Sequence, residues 1–216
     1  MKFAVLGTGM VGTTISTKLT SIGHQVKLGS RSAGGEKASA WVKAAGPNAS
    51  EGTYEDAARF AEVVFNCTSG TGSLDALNAA GAANLDGKLL IDIANPLDFS
   101  KGMPPTLFTA VSDSLGEQVQ RAFPGVRVVK TLNTVNCEVM VDANRVAGGE
   151  HEMFVCGNDA AAKGKASELL RECFGWKHII DIGDISGARA TEAYLLLWLR
   201  LWGATKTGHF NIKVVR

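Results

Sequence analysis

The chain has 216 residues, 45% of them apolar, and a formal net charge of +1. That supports one good core, or one main domain with a small appendage, and removes the electrostatic case for nucleic acid or an anionic membrane as partner. The four cysteines (Cys67, Cys137, Cys156 and Cys173) are scattered, with no Cys-x-x-Cys pair and no His/Cys cluster, so reduced thiols in a cytoplasmic protein are expected and a metal site is not. The first strand begins at residue 2, which predicts no secretory leader. The most apolar stretch, residues 193–202, holds Arg200 and falls short of the roughly 20 residues of a membrane span.

In chain order, Lys2-Phe3-Ala4-Val5-Leu6 reads as a strand, Gly7-Thr8-Gly9-Met10-Val11-Gly12 as a glycine turn, and the following residues as a helix striped by Val11, Ile15, Leu19 and Ile22. Strand, G-x-G-x-x-G and helix together form a dinucleotide-binding fingerprint. Gly7 permits the tight turn, Gly9 leaves room for a pyrophosphate, and Gly12 lets helix and strand approach. The free amides and dipole of the helix then point at the phosphates.

The second strand, Gln25 to Gly29, runs into Ser30-Arg31-Ser32. A carboxylate ending this strand would bind the ribose hydroxyls of NAD, but Gly29 or Ser30 occupies that place. Arg31, with the Ser30 and Ser32 hydroxyls and Lys37 nearby, offers a guanidinium fork and small donors to a ribose 2′-phosphate. This pattern selects NADP(H).

The alternation continues with a helix over 36–45, a weak strand at 49–51, a helix over 54–60, a strand over 61–67 and a helix over 71–85. A strand at 88–93 follows, then an irregular loop over 97–109 after Asn95-Pro96, a helix at 114–123 and a strand at 126–130. Such order predicts an α/β, Rossmann-type doubly wound parallel sheet. Residues 1–134 read as its NAD(P)-binding domain. Residues 135–216 read as a small α+β portion packed on it or continuous with it, with strands at 151–156 and 178–181, helices at 159–173 and 188–203, and an edge strand at 209–215. The 188–203 helix is apolar nearly all round, which favours burial in the core, with a subunit interface and hence a homodimer as the second choice and an aromatic platform for a flat cofactor as the third.

Ligands of open α/β sheets bind outside the carboxyl ends of the strands. Here those ends carry Gly7–Gly12, Ser30-Arg31, Cys67-Thr68-Ser69-Gly70, Ala94-Asn95-Pro96 and Thr131-Leu132-Asn133-Thr134. Arg31 apart, no ionisable group stands out as an acid or base. Carbonyl reduction needs a proton donor beside the hydride acceptor. Hydride transfer between two flat rings needs chiefly their positioning, because the acceptor ring absorbs the charge. Thr68, Asn95 and Asn133 are candidate orienting groups, with Ser69, Ala94, Pro96 and Thr134 beside them.

At these residues the chain resembles the coenzyme F420-dependent NADP oxidoreductases, a family that also includes the reductase domain of the Steap metalloreductases. The matching pieces are GTGMVG, Gly29-Ser30-Arg31, Asn95-Pro96 and Lys130-Thr131-Leu132-Asn133-Thr134, and the resemblance covers essentially the whole chain. Where relatives often read K-A-F-N-T, this chain has Thr131 and Leu132, so one planar Phe is absent. The resemblance implies NADPH held by Thr8–Val11, Ser30 and Arg31, with coenzyme F420 or a flavin (FAD or FMN) as the small-molecule acceptor against the nicotinamide. An NADPH sensor without turnover, or a 3-hydroxyacid or imine reductase, are the alternatives. The latter need a long helical C-terminal domain, for which the residues after the sheet are too few and too strand-rich.

Overall fold

The structure, a computed structural model, describes residues 1–215. Strand β1 (Lys2–Leu6), helix α1 (Met10–Ser21), β2 (Gln25–Ser30), α2 (Glu36–Ala45), β3 (Ala49–Thr53), α3 (Tyr54–Phe60) and β4 (Val63–Asn66) build the first half. Then come α4 (Ser73–Ala80), α5 (Ala82–Leu85), β5 (Leu89–Asp92), the short strands β6 (Leu97–Asp98) and β7 (Thr106–Leu107), α6 (Leu115–Ala122) and β8 (Arg127–Thr131). The chain closes with α7 (Cys137–Met140), β9 (Glu152–Cys156), α8 (Ala160–Phe174), β10 (His178–Asp181) and α9 (Ala188–Thr205).

Eight strands form one sheet in the order β10-β9-β8-β5-β4-β1-β2-β3. From β3 to β8 every pairing is parallel, and the strand order reverses beside β1, as expected of a doubly wound sheet. The parallel expectation fails at one junction: β9 runs antiparallel to β8, and β10 parallel to β9. The C-terminal strands therefore extend the same sheet in the opposite sense.

Alternate residues of the central strands feed opposite faces. Phe3 and Val5 of β1 enter one core with Ile15, Leu19, Leu169 and Phe174, while Ala4 and Leu6 enter the other with Ala57, Leu77 and Val119. Both faces are covered by helices, which is why these strands read as unbroken apolar runs. Ile15 and Leu19 carry α1 onto the sheet, whereas Val11 is half-buried and Ile22, just past the last turn, is exposed.

Four local expectations are corrected. The helix expected over 71–85 is broken at Gly81, whose φ of +87° ends α4 before α5 begins. The loop over 97–109 contains a small antiparallel hairpin, β6 with β7. The tail at 209–215 forms no strand; Ile212 accepts one bond from the Glu152 N–H, and the Asn211 side chain donates to the Glu152 carbonyl. Finally, α9 is not buried all round. Ala188, Thr191, Glu192 and Leu195 face inward, but Leu196, Leu197, Leu201 and Trp202 are exposed.

Candidate functional site

The three glycines of the first turn do separate work. Gly7 has φ +116°, and a Cβ there would lie 2.6 Å from the Cys67 carbonyl oxygen, so the turn is both left-handed and pressed onto the end of β4. A Cβ on Gly12 would overlap the Gly7 carbonyl oxygen. At Gly9 a Cβ would meet nothing within 4 Å, because this turn faces an open groove. The first turn of α1 carries no acidic residue, so its free N–H groups present an uncompensated positive end.

The groove has a volume of about 510 Å³ and is lined by Gly7, Thr8, Gly9, Arg31, Thr68 and Ser69, with Tyr54, Asp75, Ala76 and Ala79 on its far side. Arg31 is exposed and forms no ion pair among the described residues. At Gly29, one residue before the end of β2, the absence of a carboxylate has a packing cause. A Cβ on Gly29 would stand 2.9 Å from the Ala57 Cβ of α3 and 3.0 Å from Leu6, so no side chain fits. The loop after β2 is shaped by the Ser30 hydroxyl, which donates to the Ser32 carbonyl at 2.6 Å, and by Glu51, whose carboxylate accepts the Gly34 N–H at 3.0 Å. Ser30, Ser32 and Lys37 do not line the groove. Lys37 sits exposed on α2.

A second cavity of about 500 Å³ adjoins the first and shares Cys67, Thr68 and Ser69 with it. Met10, Val11, Ala94, Asn95 and Asn133 line it, as the strand ends predicted, while Gly12 and Pro96 lie outside its lining. Its remaining wall comes from Leu97 and Phe99 of the hairpin and Val135 to Cys137 before and within α7, which the sequence did not mark, and from Leu195 and Trp198 of α9, the helix for which an aromatic platform is the third expectation. Trp198 is stacked on Phe210 with ring centroids 5.3 Å apart and on Trp202 at 6.3 Å. None of the lining residues carries a charge at neutral pH.

The amides of Asn95 and Asn133 clasp each other across the mouth of two strands. Asn133 Nδ2 donates to Asn95 Oδ1 at 2.9 Å, and Asn95 Nδ2 donates to the Asn133 carbonyl at 3.0 Å. Leu132, with φ +63°, makes the sharp bend that brings Asn133 there, a strained conformation for a branched side chain worth about 1–3 kcal/mol. Its side chain is fully buried in the core and absent from the cavity wall. The Phe that relatives often carry at this place is therefore not missing from the second cavity of this chain. Thr68 donates its hydroxyl to Asn66 Oδ1 at 2.7 Å and lies 2.8 Å from Ser73 Oγ.

Neither Lys130 nor His209, the candidates for an acid or base, lines the cavity. Lys130 is wholly buried, bonded to Asp92 at 2.9 Å, to Glu192 at 2.8 Å and to the Ala94 carbonyl. Burial alone would lower its pKa, but the two carboxylates and their hydrogen bonds outweigh that and hold the ammonium above its ordinary value. With three acceptors for three N–H donors it has no proton to offer a ligand. His209 lies half exposed on the tail, its Nε2 2.7 Å from Glu138 Oε2. Burial, with the Asp92 charge, pushes the Cys67 thiol well up, so it rests as a neutral thiol.

The geometry is thus a glycine turn and open groove joined to an uncharged, aromatic-walled cavity. Residues 2–96 match the model of the family described as NADP oxidoreductase, coenzyme F420-dependent. A solved structure of a candidate F420-dependent NADP reductase from Arthrobacter sp. FB24 is 51% identical, superposes with a TM-score of 0.95 and is covered over 100% of both chains. The F420-dependent NADP reductase of Methanothermobacter marburgensis is 28% identical over 212 residues, 93% of this chain and 92% of that one. Metalloreductase STEAP3 of Rattus norvegicus is 28% identical over 204 residues, and this chain spans 38% of its length. With full-length coverage at 51% identity and the glycine turn and strand ends in place, the chain is an oxidoreductase belonging to the coenzyme F420-dependent NADP oxidoreductase family.

Proposed function

We propose that the protein transfers hydride between NADP(H) and a flat-ring acceptor, coenzyme F420 or a flavin such as FMN or FAD, seated in the second cavity. The observation that carries this reading is the junction of the two cavities at Thr68 and Ser69. A dinucleotide with its pyrophosphate at Gly7–Gly12 and its 2′-phosphate at Arg31 would extend its nicotinamide toward that junction. The nicotinamide supplies the hydride when bound.

The chain's own residues position and exclude. Gly9 leaves the turn open to the pyrophosphate, and the α1 amides bind it. Thr68 and the Asn95–Asn133 clasp present fixed polar groups at the junction. Phe99, Leu195 and Trp198 form an apolar wall that excludes water and offers ring faces. No lining side chain of this cavity supplies an acid or base, so rate depends on holding two rings at a productive distance. Absence of a proton donor argues against a carbonyl or imine acceptor.

The exposed apolar side of α9 suits a second copy of the chain, which makes a homodimer the favoured assembly. Four free cysteines suit a reducing cytoplasm. Residues 1–134 hold the nucleotide, and residues 135–215 complete the acceptor cavity as one continuous unit with them.

Anaerobic stopped-flow mixing of the protein and NADPH with F420, FMN, FAD and riboflavin tests the proposal. Oxidation of NADPH by at least one ring acceptor is expected. Tight NADPH binding with no oxidation by any of them would replace the reductase with a sensor.

A further inference from the structure

A chain of buried polar groups runs beneath the second cavity and joins three of its walls. It begins at the Thr68 hydroxyl on the end of β4, which donates to Asn66. The Asn66 amide donates to Asp92 Oδ1 at 2.8 Å and to Ser73 Oγ at 3.0 Å. Asp92 Oδ2 binds Lys130 Nζ, which also holds the Ala94 carbonyl, one residue before Asn95. The third arm of Lys130 is Glu192 of α9. That carboxylate accepts the Leu115 and Gly116 N–H groups at 2.8 and 3.0 Å, at the start of α6.

Glu192 lies one turn before Leu195 and under two turns before Trp198, so its anchorage sets where those two side chains stand. Arg189, bonded through Nε to Glu117 at 2.8 Å, pins the same end of α9 to α6. Removing three ionised groups from water is costly, and a well-packed apolar trio of equal volume would often be as stable or more so. Geometry is the gain that offsets this cost, because an ammonium with three fixed acceptors tolerates little displacement of any of them.

Resting on the ring-to-ring reading above, we propose that Lys130 is a positioning residue, whose bonds to Asp92, Ala94 and Glu192 hold the ends of β4 and β5 and helix α9 in register around the acceptor cavity. It touches neither ring. It acts through Thr68, Asn95 and Trp198.

The test is Lys130→Met, with Glu192→Gln as a milder variant that cuts only the α9 arm. At saturating NADPH and acceptor, Lys130→Met should lower kcat about ten- to a hundredfold, the loss that misplacement of about 1 Å causes. Its Kd for NADPH should stay within about twofold of wild type, because Gly7–Gly12 and Arg31 lie outside the network. Glu192→Gln should raise the KM of the acceptor more than it lowers kcat, because the arm it cuts places the wall.

Hydrogen exchange on both variants reads the positioning without turnover. Residues 94–97 and 189–199 should exchange faster in Lys130→Met, and 7–12 should not. An unchanged kcat in folded Lys130→Met, or exchange unchanged at 94–97 and 189–199, overturns the proposal. So does loss of NADPH affinity in parallel with kcat, which marks general damage, or restoration of kcat by adding Asp92→Asn, which marks charge balance alone. If none of the acceptors oxidises NADPH with the wild-type protein, the reductase reading fails, while the exchange result still decides the role of Lys130.

Discussion

The groove proposed for the nucleotide and the cavity proposed for the acceptor lie side by side and are made in different ways. The groove is mostly backbone: Gly7–Gly12 supply the turn, α1 supplies free amides, and Arg31 is its main charged side chain. The turn and Arg31 come from the first β-α-β unit, and the rest of the lining comes from Tyr54 and from residues between Cys67 and Ala79. The cavity is mostly side chain, and its walls come from the ends of β4, β5 and β8, the β6–β7 hairpin, α7 and α9. A backbone site depends on conformations that few residues can adopt, so single substitutions in it act on binding. A side-chain site assembled from distant segments depends on registration, so substitutions there act on rate.

The most severe break falls on the groove. Gly9→Val should weaken NADPH binding by at least about a hundredfold, since a branched Cβ would stand where the phosphates pass. The fold should survive, because that Cβ meets no protein atom. Fluorescence titration with NADPH, beside a circular dichroism melt, checks both halves; a folded variant with wild-type affinity would place the phosphates elsewhere.

On the cavity side, Asn133→Ala should lower hydride transfer ten- to a thousandfold, through misplacement of the kind that effective-molarity data describe. NADPH affinity should change little. Single-turnover rates against binding constants separate the two effects, and a large loss of affinity with an intact rate would reverse the assignment of the regions.

Arg31→Ala sharpens the comparison within the groove. The preference for NADPH over NADH should fall by about ten- to a hundredfold, the worth of a charge-assisted phosphate contact. Measured Kd values for the two dinucleotides test this; an unchanged ratio would remove Arg31 from phosphate recognition.

The pH profile of hydride transfer should be shallow between about pH 6 and 8. Lys130, held above its ordinary pKa by its two carboxylates, stays charged throughout that range. A steep limb abolished by a substitution of His209 would show a titrating group at work.

The smallest effect lies away from both sites. Arg121 binds Asp113 through two bonds of 2.8 and 3.0 Å, and with Gln118 holds its carboxyl down to about 2. A depressed carboxylate pKa stabilises the fold above the ordinary value near 4, and that stability is lost as pH falls toward 2. Asp113→Asn should therefore cost up to about 1 kcal/mol at pH 7, a difference from wild type that closes between about pH 4 and pH 2. Urea melts at several pH values measure it; a constant difference would assign the cost to packing.

Local chemistry was legible before the structure. Strand, glycine turn and helix at the N-terminus, the missing carboxylate after β2 and the apolar runs of β4 and β5 all lie within short windows, where backbone conformation and burial leave direct marks on residue choice. The Asn95 and Asn133 candidates were legible because strand ends of an open sheet are where ligands bind. The wall from α9 ranked last among three readings of that helix, since an all-round apolar helix does not reveal which of its sides the rest of the chain covers. The place of Leu132 was not legible for a related reason: a left-handed bend turns its side chain into the core and away from the cavity, which neighbouring residues do not announce.

The sequence by itself determined the doubly wound class, the nucleotide turn and the choice of an arginine over a carboxylate. Each of these is written in residue patterns within short windows of the chain. Tertiary structure alone decided the antiparallel entry of β9, the exposed side of α9 and the partners of Lys130. Those partners lie 38 and 62 residues from it along the chain, and no local pattern links them. A lysine at a strand end reads equally well as a solvated base or a buried clamp until the sheet closes around it and supplies both carboxylates.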